Sequence, residues 1–364
     1  MPQVPLESWQ VGPWNRWAYS HVGEVVDTVP VPRGDGPPEA LPPGDADLDD
    51  LLDPLVDRAY VDGVAVVHRG RLVAERYAGE AGPESLHISQ SVGKSVLGLL
   101  VGVLAARGAL DPAEPVTDRV PEVAGSGYAG ATVQHLLDMT AATDFVEDYA
   151  ADFWRYDVAC GWHPPVPGAD ARTVLDFLPT IGPAAWRHGE RLHYATPNTD
   201  LLGIVAERAG GAPLATLIAE ELWGPMGAEA AAELTVDPAG TATIGGGFCA
   251  TLRDYARLGA LVAAGGRGVV PAAWLDTLGD GDPAAFTRST EPENTRGGDG
   301  YRNQWWRRDG WVMAHGIHGQ LVAADRATGT VVTVLSSWPD ATDRALEAAH
   351  RELVARVRDR FPTG

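Results

Sequence analysis

The chain has 364 residues, 45% of them hydrophobic, with no apolar run near twenty residues, which argues for a folded globular protein and against disordered or membrane-spanning classes. Forty-nine acidic residues against 28 basic ones give a formal charge of -21, a field that repels phosphate backbones and anionic lipid, so neither a nucleic acid nor a membrane partner is expected. Cys160 and Cys249 are too few for a disulfide framework or a cysteine zinc site, and Met1-Pro2-Gln3-Val4-Pro5 carries no basic-then-apolar signal; the expectation is a cytoplasmic protein with free thiols.

In chain order, a Trp-rich stretch (Trp9, Trp14, Trp17) reads as an ordered arm, followed by a Pro/Gly/Asp-rich loop from Pro30 to Asp50. Helical apolar spacing runs from Asp49 to Tyr60. The runs Gly63–Val67 and Leu72–Ala74 flank His68-Arg69-Gly70-Arg71 and predict a β-hairpin. From Ser91 to Arg107 the chain is apolar on nearly every side and stops at Gly108, which predicts a buried core helix. Between about Asp111 and Pro238 the pattern is mostly helical, with segments at Val133–Met139, Thr173–Leu178 and Asp200–Ala209. Strand signals return at Leu234–Val236, at Trp311–Ala314, and in the pair Gln320–Ala323 and Val331–Leu335 joined by Ala327-Thr328-Gly329. Ala341–Phe361 closes the chain as an amphipathic helix. The division this implies is an α/β domain from residues 1–110 and 234–364, with arm 1–48, around a helical subdomain at 111–233.

Of the 28 basic residues only Lys94 is lysine. Ser91-Val92-Gly93-Lys94 opens the core helix, and a separation of three puts the two side chains on one face, where they can share a proton. Lysine titrates down when buried and guanidinium does not, so a serine needing a general base can use Lys94 and could not use an arginine. The same tetrapeptide also fits a serine at a helix start with a solvated lysine one turn in. Tyr194 stands just before an apolar helix, where its phenol could join a Ser/Lys relay or sit in the core with Asn198 or Asp200 as the helix cap. In His315-Gly316-Ile317-His318-Gly319-Gln320, glycines allow close approach and a strand-edge N–H could complete an oxyanion hole. No third ligand stands at metal spacing from His315 and His318, and Gly245-Gly246-Gly247 lacks the Lys-Ser/Thr of a phosphate loop. No metal and no cofactor is expected.

Ser-x-x-Lys, a mid-chain tyrosine and a glycine-containing strand motif, in that order, resemble the serine β-lactamase and penicillin-recognising superfamily. Within it the likeness is to the 6-aminohexanoate-dimer hydrolases, carried along nearly the whole chain. It starts with Leu6-Glu7-Ser8-Trp9-Gln10, Asn15-Arg16-Trp17-Ala18, Ser91–Ser95, Leu137-Asp138-Met139 and Glu147-Asp148-Tyr149. It continues through Gly161-Trp162, Asn198-Thr199-Asp200, Gln304-Trp305-Trp306, Gly316–Gln320 and Leu335–Pro339. The resemblance implies a β-lactamase-like α/β fold: a mainly antiparallel sheet flanked by helices, an inserted helical subdomain, and the active site between them. It implies a serine hydrolase acting through an acyl-enzyme on esters or amides of small acids, with acyl transfer and a catalytically poor binding protein as the other readings. By position, Ser91 resembles the nucleophile, Lys94 the base, Tyr194 the relay phenol, and the N–H groups of Ser91 and Ile317 the oxyanion hole. Tyr149 resembles a tyrosine on a closing loop and Asp157 an aspartate that tunes action on the dimer; Gly245, Trp306, His315 and Gly316 complete the expected substrate contacts. A small ester or amide is the expected partner, and a homodimer stays open. Gly245 replaces an Asn or His of that family, which implies a short-chain esterase weak on the linear dimer. Against class C β-lactamases the strand motif lacks its lysine and Thr196 replaces an asparagine.

Overall fold

The computed structural model describes residues 4–58, 60–149, 153–167, 171–295 and 297–362. Residues 1–3 of the expected signal-free start and Ala59 in the expected Asp49–Tyr60 helix lie outside the described residues. The strands are β1 (Thr28–Val31), β2 (Val61–His68), β3 (Arg71–Tyr77), β4 (His87–Ile88), β5 (Ala232–Thr235), β6 (Phe248–Ala250), β7 (Gly300–Arg302), β8 (Trp305–Arg308), β9 (Trp311–Gly316), β10 (Gln320–Asp325) and β11 (Thr330–Ser336). The helices that bear on the site are α1 (Asp49–Arg58), α2 (Val92–Ala106), α3 (Trp154–Ala159), α4 (Thr196–Gly210), α5 (Leu252–Ala263) and α6 (Arg344–Arg360).

Seven strands pair antiparallel in the order β3-β2-β11-β10-β9-β8-β7, so the sheet is woven from both ends of the chain. Alternate residues of a strand face opposite sides. Val64 and Val66 of β2 accordingly enter a cluster with Leu52 and Leu55 of α1 and Leu353, Val354 and Val357 of α6. Ala65 and Val67 enter the main cluster with α2 and α5 on the other face. Both faces are covered, which is why Val64–Val67 of β2 is an unbroken apolar run rather than an alternating one. Each such buried valine contributes about 1.5–3 kcal/mol. Val66→Asp would set an unpaired carboxylate between the layers and break the sandwich.

A second, four-stranded sheet has the order β1-β5-β6-β4; apart from β5 its strands lie outside the sequence-based expectations, because they are only two to four residues long. It delivers the chain to the site. After β4, the Ser89 N–H and hydroxyl both donate to the Phe248 carbonyl of β6, at 2.9 and 3.1 Å. Gln90 then takes φ 48, a left-handed bend that turns the chain into α2.

Element ends differ from the sequence reading for identifiable reasons. The expected helix at Asp200 begins at Thr196, because Pro197 fits a first helical turn; Asp200 is therefore inside the helix and caps nothing. Val133–Met139 ends at Leu137, since Met139 has φ 52. Thr173–Leu178 is a turn of helix, Val174–Phe177, that tightens into a 3-10 turn at Leu178–Thr180. The strand expected at Leu234–Val236 is β5, two residues earlier at its start. The last helix starts at Arg344 because Asp343 accepts from the N–H groups of Ala345 and Leu346 at 2.8 and 3.0 Å. Trp9 of the arm is buried, donates its indole N–H to the Trp162 carbonyl at 3.0 Å, and packs edge-on against the Trp162 ring. No single helix among the described residues is long and apolar enough to cross a membrane.

Candidate active site

Ser91 is the N-cap residue of α2 and Lys94 lies one turn in, 1% exposed. The fifteen residues of α2 include no acidic side chain, and the helix is covered on nearly every side, so the Lys94 side chain is buried. Three oxygens surround its side-chain nitrogen: Ser91 Oγ at 2.7 Å, Thr196 Oγ1 at 2.9 Å and the Gly245 carbonyl at 2.5 Å. Burial lowers the lysine pKa, with Glu147, Asp200 and Cys160 pulling the other way. A solvated lysine is thereby excluded.

Beyond Ser91, the two other oxygens come from separate elements. Thr196 opens α4, and its backbone N–H and hydroxyl both donate to the carboxylate of Glu147, the hydroxyl at 2.9 Å. The phenol of Tyr149 donates to the same carboxylate. Gly245 is held by its N–H, which donates to Asp200 at 2.7 Å; the other oxygen of Asp200 accepts from the Tyr156 hydroxyl of α3. Burial raises Asp200 to about 6 against these hydrogen bonds and Lys94. Asp200 therefore ties α3, α4 and the glycine stretch to the lysine.

Tyr194 precedes α4, and Lys94 Nζ stands over its ring at 5.3 Å. Burial, then Glu147, raises the phenol pKa, and the Ser91 hydroxyl opposes the rise. The phenol is thus held neutral beside the serine. Its ring stacks on Trp306 at 5.7 Å and meets Tyr301 edge-on, so Trp306 supports Tyr194 from behind.

A narrow cleft opens over Ser91. Of the expected substrate contacts, Tyr149, Asp157 and Gly245 line it, together with Ser91 and Ile317. Trp306, His315 and Gly316 are not among the residues that line it. His315 pairs with Leu321 in the sheet, and burial lowers its imidazole to about 3. Gly316 is glycine because a Cβ there would come within 2.4 Å of the Ser89 carbonyl; the close approach brings the end of β9, and so Ile317, against the serine. His318 contacts the Trp338 carbonyl through Nδ1 at 2.7 Å and is a buried anchor. Asp157 on α3 meets Gln10 of the arm at 3.5 Å, and burial raises its carboxyl to about 7, against Gln10 and with Glu147.

Glu147, Thr196 and Asp200 were not singled out as acting residues from the sequence. Their signal was present only in position: Thr196 two residues after the tyrosine, and Glu147 two before Tyr149. Nothing local marks a glutamate that reaches forty-nine residues along the chain to a helix start.

The beta-lactamase family model matches residues 48–356 of this chain. The curated 6-aminohexanoate-dimer hydrolase of Paenarthrobacter ureafaciens is 36% identical over 361 residues, covering 93% of this chain and 89% of that one. A solved structure from Bacillus anthracis, assigned as a 6-aminohexanoate-dimer hydrolase, has a TM-score of 0.88 at 23% identity, covering 98% of this chain and 96% of that one. EstCE1, described as a hydrolase with promiscuous acyltransferase activity, has a TM-score of 0.67 at 15% identity, over 84% of this chain and 97% of that one. With the antiparallel sheets flanked by helices, and with a buried lysine against a helix-start serine, the chain belongs to the beta-lactamase family and is a serine hydrolase.

Proposed function

We propose that the protein hydrolyses esters or amides of small carboxylic acids through an acyl-enzyme on Ser91, as the name of its relative suggests for an amide. The observation that carries this reading is the 2.7 Å contact between Lys94 Nζ and Ser91 Oγ at a buried lysine whose proton affinity is depressed. In acylation Lys94 takes the Ser91 proton while Oγ bonds to the substrate carbonyl carbon, and the developing oxyanion lies at the N–H groups of Ser91 and Ile317. Tyr194 then passes a proton to the departing alkoxide or amine as its bond to carbon breaks, and Lys94 reprotonates the relay. Water, giving one proton to the relay, releases the acid and restores Ser91.

Acyl transfer to an alcohol or amine is the second reading, favoured by the aromatic lining of Tyr149, Phe153, Tyr156 and Trp162, which disfavours bulk water near the ester carbonyl. Intact-mass spectrometry after a fluorophosphonate probe or a p-nitrophenyl ester tests the first step. The expected result is one adduct, mapped to Ser91 and lost in Ser91→Ala; an adduct that persists in the variant overturns the assignment. Adding a primary alcohol to the ester reaction separates the two readings by the yield of the new ester.

A further inference from the structure

We infer that Glu147 is a positioning residue whose carboxylate sets the direction of the Lys94 lone pair. The argument is a count of donors and acceptors. A neutral lysine has two N–H donors and one lone pair for three neighbours. The Gly245 carbonyl can only accept, so it takes one N–H. Thr196 Oγ1 has its own hydrogen committed to Glu147, so toward Lys94 it can only accept and takes the second. The lone pair is left facing Ser91 Oγ, the one neighbour with a proton to give. After the transfer the ammonium donates to all three without rotating. If the Glu147 acceptor is removed, the Thr196 hydroxyl is free to turn and donate to Lys94, which draws the lone pair away from the serine.

Glu147 has three donors converging on it: the Thr196 N–H, the Thr196 hydroxyl and the Tyr149 phenol. The first of these makes it the cap of α4, whose preceding residue Ala195 has no capping side chain. A cap and an orienting acceptor predict different couplings with Thr196. The cap bonds the backbone and is indifferent to the side chain at 196; the orienting role exists only while a hydroxyl is there.

This inference rests on Lys94 being the base, and the experiment separates the two. Kinetics on a p-nitrophenyl ester are measured for Glu147→Ala, Thr196→Val and the double variant, with Thr196→Ser as the conservative control. Glu147→Ala should lower kcat about 10- to 100-fold, less than the ~10²–10⁴ of losing a base, with KM within a few-fold. In the Thr196→Val background the same change should cost less than about twofold, and in the Thr196→Ser background it should recover its full effect. Losses that multiply in the double variant, or a Glu147→Ala kcat within twofold of wild type, overturn the inference. If Glu147→Ala does not fold, Glu147→Gln serves. Its amide keeps one acceptor oxygen for two Thr196 donors, and the partial loss must show the same dependence on the hydroxyl.

The pH profile supplies a second readout. The groups facing Lys94 are Glu147, Asp200, Cys160 and the ring of Tyr194. Removing the negative neighbour Glu147 lowers the lysine pKa further, so the acid limb should move to lower pH while the plateau falls. A plateau that holds, with only the limb displaced, assigns Glu147 an electrostatic role and rejects the orienting one. A Lys94→Arg enzyme with near-wild-type activity removes the general-base reading itself. An inactive Lys94→Arg with additive Glu147 and Thr196 effects removes only this inference.

Discussion

The two ends of the cleft are built to different standards. At the Ser91 end, Lys94, Thr196, Gly245 and Asp200 are each buried or backbone-anchored and joined by hydrogen bonds of 2.5–2.9 Å from α2, α4 and the glycine stretch. At the other end Asp157 has a 3.5 Å contact with Gln10, and Tyr149 is 38% exposed. The difference separates the tasks. Bond-making chemistry needs geometry held to a fraction of an ångström, whereas a rim that selected among substrates would tolerate change. Substitutions at the first end should therefore cost kcat on every substrate, and those at the second should redistribute activity among substrates.

The largest effect expected is at the lysine. Lys94→Arg keeps a cation but cannot accept a proton at working pH, and its planar fork does not match three acceptors arranged around one nitrogen. Ester hydrolysis should fall by ~10²–10⁴. A variant within about tenfold of wild type would show that both ends of the cleft act on binding alone. Tyr194→Phe comes next and should discriminate by leaving group, because an amine must receive a proton and p-nitrophenolate need not. Loss on an amide should exceed loss on the matched activated ester by at least about tenfold. Equal losses would leave the phenol a structural part of the stack with Trp306 and Tyr301.

These residues also mark how far the sequence could be read. The lone lysine three places after a serine on an apolar helix was legible because it departs from the arginine used everywhere else, and β2, β10 and β11 were legible as long runs of buried valine and alanine. The two-residue β4 was not, since its two residues carry no periodicity. Trp306 illustrates the other limit. Its place in a motif suggests a substrate contact, and only the fold reveals that its ring also stacks on Tyr194. Glu147 reaches Thr196 across forty-nine residues, and no local pattern encodes such a meeting.

Gly245 tests where the boundary between the two ends lies. From the sequence, a glycine at this position suggested that Asn would add a contact to an amine-bearing substrate. The space is filled: a Cβ at Gly245 would come within 2.7 Å of Thr196 Cγ2 and 3.1 Å of both Asp200 oxygens, although its φ is not positive. Gly245→Asn should then displace Thr196, the partner of Lys94. Ester kcat is expected to fall about tenfold, the scale of a misplaced catalytic group. Gain on the linear 6-aminohexanoate dimer with unchanged ester turnover would put Gly245 on the selective side instead.

The smallest effect is expected at Asp157, and its sign can be worked out. The carboxyl rises from 3.8 to about 7 in the fold, chiefly by burial. A raised folded pKa means that the stability contributed by this group is complete below its unfolded pKa and is lost as pH rises through about 7. Above that pH the native state carries a poorly solvated charge with Gln10 as its hydrogen-bond donor. Asp157→Asn removes the charge and leaves the shape. Its Tm should match wild type near pH 4 and exceed it by about 1–2 °C at pH 8.5, the scale of shift that ~1 kcal/mol produces in a chain of this length. Turnover of a neutral ester should stay within about twofold, because Asp157 is outside the network around Lys94. An ester bearing an ammonium group at the far end of its acyl chain should lose more, since it forfeits a charge-assisted hydrogen bond in a partly buried site. A Tm difference independent of pH would mean that Asp157 stays ionised and well solvated in the fold. Equal losses on the charged and neutral esters would move the recognition of such a group elsewhere along the rim.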